Sequence, residues 1–133
     1  MLQTHSKLIQ LVRALASNRS GHSAIEFAFL APAMMMFILG IGEVGRVMWL
    51  QNALNYSVTE AARCVSNSPS TCGSASQTQS FAASESGAGF ASSVFTATTA
   101  SCGNRVSAIY PVVLNIPYVT WSTTLTSQAC YPT

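Results

Sequence analysis

Arg19 to Trp49 reads R-S-G-H-S-A-I-E-F-A-F-L-A-P-A-M-M-M-F-I-L-G-I-G-E-V-G-R-V-M-W, and this stretch decides the fold. A basic flank ends in Gly21, and four residues separate that glycine from Glu26. The 16 residues from Phe27 to Gly42 then carry no charge. At about 1.5 Å rise per residue, such a run makes a helix of roughly 24 Å. A bilayer core is about 30 Å thick and takes about 20 mostly apolar residues. Ala24, Ile25, Val44 and Val47 to Trp49 supply the missing length, with Glu26 and Glu43 near the two interfaces. The run is apolar on every face, as a membrane span is. A helix buried in a soluble core is the competing reading.

Charge sets the orientation. Lys7, Arg13 and Arg19 precede the segment and no acid comes before Glu26, so the N-terminus is expected to stay cytoplasmic. The C-terminal part then faces the periplasm, with Trp49 at the far interface. A secretory signal peptide has a shorter apolar region, followed by its small-residue cleavage site. Here the small residue, Gly21, comes before the apolar region. That order does not suit ordinary secretion.

A basic leader, Gly, four residues, Glu and then an apolar helix resembles the type IV prepilin class. Within that class, A-I-E-F-A-F-L-A-P (Ala24 to Pro32) followed by the G-x-x-E-x-G-R of Gly40 to Arg46 is similar to TadE-type pilins of tight-adherence (Tad/Flp) systems. The resemblance is good from about Arg19 to Arg63 and loose beyond. It implies that a membrane prepilin peptidase cuts directly after Gly21 on the cytoplasmic side. His22 then becomes the N-terminus and Glu26 the fifth mature residue. It also implies that Glu26 pairs with the N-terminal amine of a neighbouring subunit during assembly. Major Flp pilins are much shorter and usually carry Glu-Tyr. Glu26-Phe27 and a long exported part point instead to a minor pilin or pseudopilin. A carboxylate near a bilayer core costs about 2.5–3.5 kcal/mol at the centre on insertion scales, so Glu26 is expected to have a function.

Composition removes other classes. The chain has 133 residues, enough for one small domain and an anchor, and a net charge of only +2. No basic stripe is present, which argues against nucleic acid as a partner. There is no Asp anywhere and no His after His22; the acids are Glu26, Glu43, Glu60 and Glu85. Ser-His-Asp and Cys-His constellations cannot be assembled in the exported part. His-based zinc sites and Asp-rich calcium loops are missing, and the cysteines lack C-x-x-C spacing. We expect no enzyme, no metal and no cofactor.

Along the chain, Leu8, Leu11, Val12 and Leu15 with Lys7 and Arg13 suggest a short amphipathic helix on the inner leaflet. Pro32 falls early in the apolar helix, where a kink or loosened turn is expected; membrane helices tolerate an interior proline when neighbours satisfy the freed groups. Beyond Trp49 the helix should continue into water. Val47, Leu50, Leu54, Val58, Ala61 and Val65 form one apolar stripe, opposite Gln51, Asn52, Asn55, Thr59 and Arg63. Glu60 and Arg63 are spaced to pair weakly. Ser66 to Ser80 reads as a polar loop, and a short helix follows around Gln77 to Ser86, with Phe81 and Ala82 inward and Gly87 and Gly89 ending it. Val94 to Ser101, Arg105 to Val113 and Thr123 to Ala129 read as strands, with a turn at Cys102 to Asn104. Pro111 and Pro117 argue that any strand near them is an edge or is interrupted.

The four cysteines suit an oxidising compartment. Three connectivities are possible. We favour Cys64–Cys72, closing the polar loop onto the helix end, and Cys102–Cys130, because antiparallel strands bring the start of one beside the end of the next.

The expected fold is α+β: a long N-terminal membrane-spanning helix that continues as an amphipathic helix and packs on a small antiparallel sheet with disulfides. The expected division is a leader over 1–21, a membrane part over 22–50 and a periplasmic or extracellular pilin-like domain over 51–133. The expected function is structural, in assembly, tip formation or adhesion of a pilus. Expected partners are the inner membrane, a prepilin peptidase, other Tad pilins or pseudopilins and the assembly platform, within an oligomeric filament. The alternative is an unprocessed single-span membrane protein with a small disulfide-stabilised binding ectodomain.

Overall fold

The computed structural model describes residues 21–116 and 119–132, in two compact units: one ends at Leu39 and the other begins at Gly40. The amphipathic helix expected around Leu8 to Leu15 lies outside the described residues, as does Pro117. Helix α1 (Gly21–Asn67) is 47 residues long and is helical through Pro32. In the first unit α1 is the only described element.

In the second unit, α2 (Pro69–Cys72), α3 (Ala75–Glu85) and a 3-10 turn (Ser92–Val94) lead into three strands. These are β1 (Phe95–Ala100), β2 (Gly103–Ile116) and β3 (Val119–Tyr131), antiparallel in the order β1-β2-β3. The architecture is the α+β arrangement expected.

The helical stripe and the alternation of β2 build the core. Leu50, Leu54, Val58 and Ala61 are buried on α1, and Val106, Ala108 and Val112 are buried on β2, with Leu125 of β3 beside them. Ser57 and Ala62 share that buried helix face. The Ser57 hydroxyl donates to the Ala53 carbonyl at 2.7 Å, so its buried oxygen is not stranded. Phe90 caps the core next to Tyr110, with ring centroids 4.8 Å apart.

Three expectations are corrected in detail. The polar stretch after Asn67 is mostly helical: Pro69 sits at the start of α2, and Ser74 caps α3 in a reciprocal capping box with Gln77. These cap signals outweigh a serine-rich composition. Gln51 and Asn55 do not simply face water. The Gln51 amide donates to the Thr126 carbonyl at 3.0 Å, and the Ser127 hydroxyl donates to Asn55 at 2.6 Å. The turn between β1 and β2 is confined to Ser101 and Cys102. Gly103 already pairs with Ala100, at φ +114°, and a Cβ there would strike the backbone of Tyr131 and Pro132.

Pro111 is accommodated because β1 pairs only with Gly103 to Ala108. From Ile109 onward β2 has β3 on one side and an open edge on the other, so a missing N–H need cost no ladder bond.

Cys64 bonds to Cys72 and Cys102 to Cys130, the pairs favoured from chain order. They close loops with sequence separations of 8 and 28. On chain-entropy grounds these bridges contribute about 2.5 and about 3.6 kcal/mol. Replacing Cys102 and Cys130 by serine should therefore destabilise the folded unit by about 1 kcal/mol more than replacing Cys64 and Cys72. Chemical denaturation of the two double variants checks this; the reverse order would show that native contacts, not loop closure, set the effect.

Candidate assembly segment of the N-terminal helix

The candidate site is the first half of α1, described here by itself. Gly21 is the first helical residue, and a Cβ built on it meets nothing within 4 Å. Glu26 follows five residues on, about 7.5 Å along the axis, and is exposed. Phe27 is 67% exposed. Ile25, Phe29, Leu30, Met34, Met35, Phe37 and Ile38 are likewise exposed, in directions all round the helix.

A helix of this kind in a soluble core would be covered. Here an 18-residue window with mean hydropathy 2.0 is not buried at all. In water such a surface is strongly unfavourable at about 25 cal/mol per Å². Lipid, or apolar helices of other chains, must cover it. The helix is long and apolar enough to cross a bilayer, which fits a membrane-anchored protein.

The TadE-like protein family model matches residues 21–63, about a third of the chain. No curated protein and no solved structure matches the chain. The TadE-like segment begins at Gly21 and ends one residue before Cys64, so it covers the apolar helix and the stripe that packs on the sheet.

Gly40, Gly42 and Gly45, within the TadE-like segment, have open space where a Cβ would stand. The fold of the single chain gives no steric reason for them. Among the described residues, no three His, Cys, Asp or Glu side chains group as metal ligands. Sequence reasoning missed the contacts of Arg46. Its guanidinium pairs with Glu43 at 2.8 Å and also donates to the Val113 carbonyl at 2.8 Å. The i,i+3 spacing of Glu43 and Arg46 signalled the first; the second needs the sheet in place. The Glu60–Arg63 pair expected from spacing is present at 3.2 Å.

Proposed function

We propose that this protein is a minor pilin or pseudopilin of a Tad-type pilus. It is made with a leader of residues 1–21 and is cut after Gly21 by a prepilin peptidase on the cytoplasmic side. It is held in the inner membrane by residues 22–50, with its N-terminus cytoplasmic. Residues 51–133 are periplasmic, or extracellular once the chain enters a pilus. Its work is structural: priming assembly, forming a tip or adhering to a surface, in contact with other Tad pilins or pseudopilins and the assembly platform.

The observation that carries this reading is the TadE-like match, which opens at Gly21 and runs along the uncovered helix. Two further facts support it. Lys7, Arg13 and Arg19 all precede the helix, which favours a cytoplasmic N-terminus. All four cysteines follow the apolar part of α1 in sequence, from Cys64 in its last turns onward, and all are in disulfides, as suits an oxidising compartment. After cleavage, Glu26 is placed to meet the His22 amine of an adjacent chain, with Phe27 beside it in the subunit contact. Pro32 supplies a helix site that yields during extraction into the filament.

Intact mass of the membrane-extracted protein, with and without the cognate peptidase, tests the proposal. The expected product begins at His22 and is seen only with the peptidase. A full-length chain in both strains would favour an unprocessed membrane receptor instead.

A further inference from the structure

The end of the β2–β3 hairpin carries apolar side chains that the core covers only in part: Leu114 and Ile116 are half-buried, and Val119 and Trp121 are exposed. Leu114 is paired with Trp121 and Ile116 with Val119. Directly opposed residues share a face of a sheet. Alternation from Val106, Ala108 and Val112 puts these four on the face that packs against α1. Yet Trp121 is 70% exposed and Val119 56%, whereas Val112 and Leu125, nearer the core, are 4% and 8% exposed. The apolar face runs on past the core.

Hydrogen bonds fix the level at which it does so. Asn104 meets Ser66, Ser127 meets Asn55, Thr126 meets Gln51 and Val113 meets Arg46. These contacts descend α1 in the order in which they descend the hairpin, so the hairpin runs antiparallel to the helix and its far end passes Arg46. Leu114 and its partner Trp121 lie one residue past Val113, about 3.3 Å of strand, equivalent to about two residues of helix. That brings Trp121 to the level of Val44, which is exposed on α1. Trp49, one helical turn above Arg46, is 55% exposed. Trp121 thus lies about 7.5 Å below Trp49 along the axis, both in the region where the apolar part of α1 gives way to its amphipathic part.

The chemistry of the hairpin suits lipid. No charged residue follows Arg105 in the chain. β3 is a 13-residue edge strand without a charge or a proline, the devices that usually guard such an edge in water. Tryptophan is enriched at membrane–water interfaces, where its ring lies among the headgroups. The Arg46 guanidinium, bonded to a carboxylate and to a carbonyl, is suited to the same layer.

We propose that the hairpin end, through Leu114, Ile116, Val119 and Trp121, seats in the headgroup and upper acyl layer of the bilayer beside α1. The folded unit is then held at the membrane by two elements, and departure from the membrane has to withdraw Trp121. This rests on reading α1 as a membrane anchor.

The test uses the full chain reconstituted in vesicles of phosphatidylcholine and phosphatidylglycerol, with lipids brominated near the headgroup. Trp49→Phe leaves Trp121 as the only tryptophan, and Trp121→Phe is its companion. Both side chains are exposed, so the core is untouched, and the wild type gives the Trp121 signal by difference. Trp121 emission is expected to be quenched strongly by bromolipid and several-fold less by aqueous iodide than free tryptophan is. Emission open to iodide and indifferent to bromolipid overturns the proposal while leaving the anchor intact, provided the chain floats with the vesicles. Protection from both quenchers also overturns it; loss of that protection on dilution to one chain per nanodisc would identify a second copy as the occupant. Failure to float overturns the anchor reading and this proposal together.

Discussion

Glu26→Ala is expected to leave the chain in the membrane and to remove it from the filament. The substitution takes away a carboxylate whose place near the bilayer core costs about 2.5–3.5 kcal/mol at the centre, so insertion is not weakened and is slightly favoured. In the proposed assembly contact, what is lost is the partner for the α-amino group of a neighbouring chain. In a medium of low dielectric, an ammonium left without its carboxylate is strongly destabilised, because desolvation is no longer offset by attraction. Incorporation should therefore fall to background, not by a modest fraction. Immunodetection of the protein in membranes and in sheared pili reads both halves of the prediction. Normal amounts of the alanine variant in pili would remove Glu26 from the assembly contact.

Leu54→Ala is expected to cost the folded unit about 3 kcal/mol, within the range seen for buried leucines cut to alanine. Leu54 has no exposed surface and lies between Leu50 and Val58 on the face of α1 that meets the sheet. Small domains have about 5–15 kcal/mol of stability in all, so the loss is a large share. Met48→Ala, two turns below and 64% exposed, should change stability by no more than about 0.5 kcal/mol. Denaturant titration of the detergent-solubilised protein, followed by tryptophan emission, compares the two. Equal small effects would mean that α1 does not form one cooperative unit with the sheet.

Much of the fold was legible because its signals are periodic. The stripe from Leu50 to Val65 repeats at three- and four-residue steps, and α1 extends to Asn67. Val106, Ala108 and Tyr110 alternate with polar or exposed neighbours, and β2 contains them all. The stretch after Asn67 was harder. Serine-rich composition suggested a loop, whereas Pro69 and the Ser74–Gln77 capping box start helices there, held by the Cys64–Cys72 bridge. Capping depends on which residue stands at one position, and a composition average hides it. The proposed assembly residues rest on spacing and resemblance alone. Glu26 is singled out by being a charge in an apolar run, and no other described element is needed to find it.

Pairings between segments distant in sequence were decided only in three dimensions. Arg46 and Val113 are 67 residues apart, Gln51 and Thr126 are 75, and no local pattern links either pair. The short reach of β1, which frees the edge at Pro111, is likewise a matter of register. So is the exposure of Trp121: its alternation says that it faces α1, and only the position of the hairpin along the helix places it beyond the core. The sequence by itself determined the apolar helix, its likeness to TadE, the cysteine-bearing α+β unit and the lone carboxylate at Glu26. These follow from free energies of transfer and from short-range periodicity, which act residue by residue. The tertiary structure decided which edges are open and which apolar side chains lack cover, because those depend on the geometry of packing between elements, which no single stretch of chain encodes.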